Sequence, residues 1–238
     1  MGIILASILD ADWSRLPDEI RDVDRAGVDA FSIDVMDGQF VPRETFSPET
    51  VLEIRNITGL PIEVHLMVNS PEEHVKKYCD AGADQVVFHL EAAKDPLAII
   101  EYIHSRGLQA GIAILKETPL ENISDEVFTS IDALTLMSIK VGFGGQKPSP
   151  ETIDRIKQLR ERAEKMNPNL AIIIDGGMKP GNCSEFIGAG ADGVVIGTGI
   201  YHADNYEEAL RLAKQNANSD DPVARKRLEG FLAIPSKN

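Results

Sequence analysis

Cysteine is scarce in this chain, and its scarcity excludes two kinds of architecture. Only Cys79 and Cys183 occur, and neither has a second Cys or a His at metal-finger spacing, so neither a disulfide framework nor a zinc module is indicated. A reducing, cytoplasmic setting is the expectation. Basic residues are also few: 24 Lys and Arg face 38 Asp and Glu, a formal net charge of -14. A surface of that sign has no general grip on nucleic acid or on an anionic membrane, because both need cationic groups to replace counterions. An anionic small molecule is still admissible if backbone N–H groups and helix ends hold it locally. Long apolar runs are missing as well. No stretch approaches the roughly 18 apolar residues of a membrane span, and Met1 to Ser7 has no basic segment ahead of its short apolar run, so no export signal is expected.

What the chain does contain is a regular beat. Its 238 residues, 43% hydrophobic and 26% charged, suit one soluble core, and no Gly/Ser or Pro-rich linker divides them. Three segments resemble one another: Ala26-Gly27-Val28-Asp29, Ala81-Gly82-Ala83-Asp84 and Ala189-Gly190-Ala191-Asp192. Their separations are close to one and two multiples of a single interval, which is about two β/α units of an eight-fold barrel of roughly 200 to 250 residues. In each, a helical pattern stops at a Gly that can take a left-handed cap, and a short apolar run follows. Helix starts recur too, as Ser47-Pro48-Glu49, Ser70-Pro71-Glu72, Asp95-Pro96 and Ser149-Pro150-Glu151, each an N-cap residue before Pro.

Between these signals eight strands are predicted, at Ile3 to Ser7, Ala30 to Asp34, Ile62 to Met67, Gln85 to Phe88, Ala110 to Ile114, Ala133 to Met137, Ala171 to Asp175 and Gly193 to Ile196. Most are continuous apolar runs, as parallel strands covered on both faces require. Helical patterns fill the gaps, clearly at Leu97 to Arg106 and Ile153 to Lys165, weakly at Leu120 to Val127. An open doubly wound sheet shares the alternation; the count of eight favours a single α/β (β/α)8 TIM barrel over residues 1–217, with residues 218–238 a tail on its surface.

Working residues of such barrels project from the C-terminal ends of the strands. The residues there are Ser7; Ser32, Asp34 and Asp37; His65 and Met67; His89 and Glu91; Met137 and Lys140; Asp175-Gly176-Gly177; and Gly197-Thr198-Gly199. A lone Asp34 would read as a carboxylate capping its loop. Together with Asp175 and His65 it makes an acid/base pair or a metal site. Three glycine clusters, Gly142-Phe143-Gly144-Gly145, Gly176-Gly177 and Gly197-Thr198-Gly199, follow the sixth, seventh and eighth strands. Singly they would be tight turns, but as neighbours they fit a phosphate site built from backbone N–H groups.

The motifs Ser7-Ile8-Leu9, Asp34-Val35-Met36-Asp37-Gly38, Val64-His65-Leu66-Met67-Val68, Met137-Ser138, Gly142-Phe143-Gly144-Gly145-Gln146-Lys147, Asp175-Gly176-Gly177 and Gly197-Thr198-Gly199 resemble those of the ribulose-phosphate 3-epimerase family, in family order over about the first 200 residues. The resemblance implies epimerisation at carbon 3 of a ketopentose phosphate, with Asp34 and Asp175 as the catalytic acid/base pair passing through an enediolate. It implies a divalent metal ion (Mn, Mg, Fe or Zn) on Asp34, His65 and Asp175. It also implies a sugar site of Ser7, His65, Met36, Met67 and Met137, although ordinary core packing accounts equally well for each methionine. Gly142, Phe143, Gly144, Gly145, Gly176, Gly177, Gly197 and Thr198 would take the phosphate. Members of the family often associate, and Phe40 to Pro42 is an expected contact for a homo-oligomer.

Three departures from that pattern lie at the mouth. Ser32 replaces a metal-binding His, Gln39 replaces another His, and Lys140-Val141 replaces a smaller polar or acidic residue and a Pro. Oxygen in place of imidazole weakens the site for zinc and tilts it toward harder, six-coordinate ions. Other readings stay open at this stage: epimerisation of another ketose phosphate such as a hexulose 6-phosphate, Schiff-base lyase or transaldolase-like chemistry on Lys140, and sugar-phosphate binding without catalysis.

Overall fold

In the computed structural model of the chain, the described residues are 2–142, 145–218, 227 and 232. Eight strands, β1 (Ile3–Ser7), β2 (Ala30–Met36), β3 (Ile62–Met67), β4 (Gln85–His89), β5 (Gln109–Ile114), β6 (Ala133–Met137), β7 (Ala171–Asp175) and β8 (Gly193–Ile196), pair in parallel and in chain order. β8 returns to β1, with Ile3 opposite Gly193 and Ala6 opposite Ile196, so the sheet is a closed barrel as expected. The strands match the predicted segments within a residue or two; β2 runs on to Met36 and β4 to His89.

Nine helices surround the barrel among the described residues: α1 (Leu16–Arg25), α2 (Pro48–Arg55), α3 (Val75–Asp80), α4 (Pro96–Ser105), α5 (Asp125–Ser130), α6 (Thr152–Met166), α7 (Cys183–Gly188), α8 (Thr198–Tyr201) and α9 (Tyr206–Asn216). The anticipated start signals act unevenly. Asp95 caps α4 by accepting from the Ala98 N–H at 3.1 Å, whereas Ser70-Pro71 opens only a 3-10 turn, and Ser149 bonds Glu151 while α6 begins at Thr152. The weak pattern at Leu120 to Val127 divides into a 3-10 turn and α5, separated by Ser124, whose hydroxyl accepts from the Val127 N–H. No described helix is long and apolar enough to cross a membrane.

Burial splits into two shells. The larger lies between strands and helices, with Phe31, Val64, Phe88, Ile112, Leu134, Ile172 and Val194 facing outward from the barrel. The smaller, Ile3, Leu5, Ala30, Ala133, Ala171, Ile173 and Val195, fills the lower interior. Because side chains alternate along a strand, the remaining inward positions of β2 and β3 are Ser32, Asp34, Met36, Glu63, His65 and Met67. Polar groups are thus pressed into the upper half of an otherwise apolar interior.

The repeated Asp acquires a physical meaning at the base of the barrel. The Asp29, Asp84 and Asp192 carboxylates each accept the backbone N–H of the preceding odd strand, from Ile4, Ile62 and Ile172 respectively, each at 2.9 Å. Asp132 does the same for Ala110 at 2.8 Å, a fourth copy concealed because α5 ends without the Ala-Gly pair. Each carboxylate also meets a cation or imidazole: Lys214, Arg55, His104, or Arg160 together with Arg227. The glycines before the first three Asp residues take φ of 90°, 104° and 116° at Gly27, Gly82 and Gly190, as the cap reading requires. Of the anticipated tail, Asn218, Arg227 and Leu232 are described, and Leu232 packs on the lower interior cluster; the rest of 218–238 lies outside the described residues.

Candidate active site

Asp34 of β2, His65 of β3 and Asp175 of β7 meet at the upper end of the barrel. His65 Nδ1 is 3.2 Å from Asp34 Oδ1 and 3.6 Å from Asp175 Oδ2, and the atoms the three offer lie within 4.8 Å of one another. One imidazole and two carboxylates at that spacing are a donor set suited to a divalent cation. Ser7 of β1 donates to Asp34 Oδ2 at 2.6 Å. Burial pulls the His65 imidazole down, but its contacts with Asp175 and Asp34 outweigh this and hold it at about 10. Burial pushes the Asp175 carboxyl up, and the like charge of Asp34 adds to that while His65 opposes it.

Two residues noticed at strand ends, but given no role from sequence, complete this cluster. His65 Nε2 is 3.1 Å from His89 Nε2, and His89 Nδ1 is 3.3 Å from Glu91 Oε2. Burial keeps His89 down at about 4. Glu91 Oε1 is held in turn by the Thr118 hydroxyl and by the Leu115 N–H at 2.8 Å. The row runs Asp34, His65, His89, Glu91, each in contact with the next.

One pocket gathers most of the expected residues. Ser7, Asp34, Met36, Met67, Met137, Gly142, Asp175, Gly176, Gly177, Gly197 and Thr198 line it, with Leu9, Ile139, Val141, Met178 and Val195. His65 is fully buried and is not among the lining residues. Gly145 faces a neighbouring groove with Gln146, Pro148 and Lys179, and Phe143 and Gly144 lie outside the described residues. Gly177 has no room for a side chain: a Cβ there would press on the Gln146 carbonyl at 2.6 Å and on Pro148. That packing holds the loop after β6 against the turn after β7. A residue not anticipated from sequence, Asp10, reaches the Gly197-Thr198 turn, where its carboxylate fills the space that a side chain on Gly197 would need.

The chain matches the family profile described as "Ribulose-phosphate 3 epimerase family" over residues 3–201. It is 37% identical to the ribulose-phosphate 3-epimerase of Synechocystis, over 93% of this chain and 97% of that protein. It is also 36% identical to the one of Escherichia coli, over 87% and 92%. The chain belongs to the ribulose-phosphate 3-epimerase family. Among solved structures, phosphoribosyl anthranilate isomerase from Thermococcus kodakaraensis superposes with a TM-score of 0.65 at 16% identity, covering 92% of this chain and all of that one; a likeness at that identity speaks for the barrel alone.

The geometry places each of the residues expected to depart from the ribulose-phosphate 3-epimerase pattern. Ser32 donates to Glu63 Oε1 at 2.8 Å. Gln39 is exposed, its N–H bonded to Asp37 Oδ1. Asp37 itself is engaged structurally: burial raises it, but N–H groups of Phe40, Gln39 and Asn69 outweigh this and lower it. Lys140 is exposed and does not line the pocket, and its carbonyl accepts from Gln146. In the Phe40 to Pro42 segment, Phe40 packs on His89 at 4.7 Å between centroids and Val41 is buried at the mouth, leaving Pro42 exposed.

Proposed function

We propose that this isomerase inverts carbon 3 of a ketopentose phosphate, interconverting ribulose 5-phosphate and xylulose 5-phosphate. The observation that carries the reading is that Asp34 and Asp175, from strands that are not neighbours in the barrel, line one pocket and both touch His65. One carboxylate takes the proton from carbon 3 and the other returns a proton to the opposite face, with an enediolate between the two steps. A divalent ion, Mn, Mg, Fe or Zn, would be held by Asp34, His65 and Asp175 and would supply Lewis-acid stabilisation of the negative charge that develops on the sugar oxygens.

Met36, Met67 and Met137 are each at most 5% exposed and give the enediolate a polarisable surface that excludes water. Ser7 orders Asp34 and hydrogen-bonds the sugar. The phosphate lies against Gly142, Gly176, Gly177, Gly197 and Thr198, with Phe143, Gly144 and Gly145 contributed by the loop after β6. A Schiff-base lysine needs a desolvated or cation-adjacent amine, and exposed Lys140 has neither. Two buried, unlinked cysteines accord with a reducing, cytoplasmic compartment. Copies of the chain associate through the segment around Pro42, which light scattering of purified protein tests.

The decisive experiment incubates the protein with ribulose 5-phosphate in heavy water and follows deuterium into carbon 3 by NMR. Exchange is expected. Exchange with a hexulose 6-phosphate alone would move the substrate class, and no exchange with any ketose phosphate would leave a binding protein.

A further inference from the structure

Ser32 and Glu63 are register partners on β2 and β3, one inward-facing level beneath the pair Asp34 and His65. Both are shut off from solvent, Ser32 at 0% and Glu63 at 2% exposure. A carboxylate buried so deeply is costly unless both oxygens are satisfied. Only one is: Oε1 accepts from the Ser32 hydroxyl, while Oε2 has no hydrogen-bond partner among the described residues. Folded proteins leave few such atoms, and those they keep commonly await an ion, a water or a reaction.

What surrounds that oxygen indicates what it awaits. Register places Glu63 on the barrel's inward face one level beneath Asp34 and His65, just outside the compact set of Asp34, His65 and Asp175. An imidazole at position 32, as the resemblance implies for that position, would reach up from this level as a further ligand. Serine is too short for that, and its O–H is already committed to Glu63. The next side chain at the same level, and one long enough to rise from it, is Glu63.

We infer that Glu63 is the fourth metal-coordinating side chain of this centre, its Oε2 taking the place of the imidazole that position 32 lacks. The inference rests on the metal reading proposed above and deepens it. Ser32 becomes a positioning residue that fixes Oε1 and leaves Oε2 available. The donor set changes from two imidazoles and two carboxylates to one imidazole and three carboxylates, which favours manganese or magnesium over zinc.

Chelator-treated protein titrated with manganese(II) or zinc(II) chloride, followed by calorimetry and by manganese EPR, tests this without recourse to turnover. The unaltered chain is expected to bind one manganese ion. Glu63→Gln should weaken that binding by about tenfold or more without lowering the melting temperature of the metal-free form, since it removes a buried, unsatisfied carboxylate. Ser32→Ala should cost less. The double variant Ser32→His/Glu63→Gln should regain affinity and shift preference toward zinc. If Glu63→Gln does not fold, Glu63→Asp, which withdraws the oxygen by one methylene, must show the same loss. Wild-type manganese affinity in Glu63→Gln, with loss in Asp175→Asn, would refute the role of Glu63 and leave the metal reading standing. A Ser32→Ala loss as large as that of Glu63→Gln would make serine the ligand and overturn the inference. Failure of the unaltered chain to bind either ion would remove both.

Discussion

Nε2 of His65 and Nε2 of His89 are 3.1 Å apart, with the rings stacked at 5.1 Å between centroids. Two like nitrogens at that distance form a hydrogen bond only if one carries a proton and the other does not. The network assigns it: His89 Nδ1–H donates to Glu91, so His89 Nε2 accepts and His65 Nε2–H donates. His65 Nδ1 is thereby turned toward Asp34 and Asp175, where a metal would require it. His89→Phe should lower metal affinity and activity together by about 10- to 100-fold, read by calorimetry and initial rates, with the purified variant still folded by circular dichroism. Full affinity in that variant would deny His89 its orienting part.

Removing either carboxylate should interrupt opposite half-reactions. Asp34→Asn and Asp175→Asn are each expected to lower turnover by roughly 10²- to 10⁴-fold. Single-turnover exchange in heavy water, started from each epimer in turn, should show one variant still washing out the proton of one epimer and the other variant that of the opposite epimer. Identical behaviour of both variants from both directions would mean that one aspartate handles both faces.

Asp10 places a carboxylate against the Gly197-Thr198 turn, where the phosphate would sit. A dianion arriving there meets a like charge, which at an effective dielectric near 20 costs on the order of 1 kcal/mol or more. Asp10→Ser should therefore lower KM for the sugar phosphate by about tenfold with little change in kcat, and lower the inhibition constant of inorganic phosphate in parallel. A higher KM in Asp10→Ser would show that the carboxylate helps to shape the site.

Glu91 supplies a pH dependence of stability. Burial raises its carboxyl, but hydrogen bonds from His89, Thr118 and the Leu115 backbone prevail and hold it at about 2, below its ordinary 4.5. A carboxylate lowered in the folded state contributes stability that is complete above about 4.5 and is lost as pH falls toward about 2. Melting temperatures of the native chain and Glu91→Gln should differ most at neutral pH and converge across that interval. A constant difference would assign the loss to packing.

How much of this was legible beforehand depended on the range over which each signal acts. Strand and helix boundaries are local, written in apolar runs and in Gly and Pro punctuation, so the barrel and the placing of Asp34, His65 and Asp175 at one mouth followed from counting. One glutamate within Ile62 to Met67 looks like an ordinary interruption of an apolar run; only register reveals that Glu63 faces inward beside Ser32. Asp10 meets the Gly197-Thr198 turn solely because the barrel closes, a contact between opposite ends of the chain. Ser32 at a strand end was visible, but not the carboxylate that occupies its level.

The four carboxylates at the base carry a different kind of consequence. Asp192 is buried between Arg160 and Arg227, and Asp192→Ala, which removes the carboxylate both cations share, should cost roughly 3 to 5 kcal/mol by chemical denaturation. More generally, each of the four clasps joins an odd strand to the even strand after it, across only 25, 22, 22 and 20 residues. Closures that short need little chain entropy and favour early assembly. The barrel is thus divided into four successive quarters, with the seam between β8 and β1 the one joint that must await the whole chain. In native-state hydrogen exchange the clasped amides of Ile4, Ile62, Ala110 and Ile172 should be among the slowest to exchange, opening only as the entire ring does.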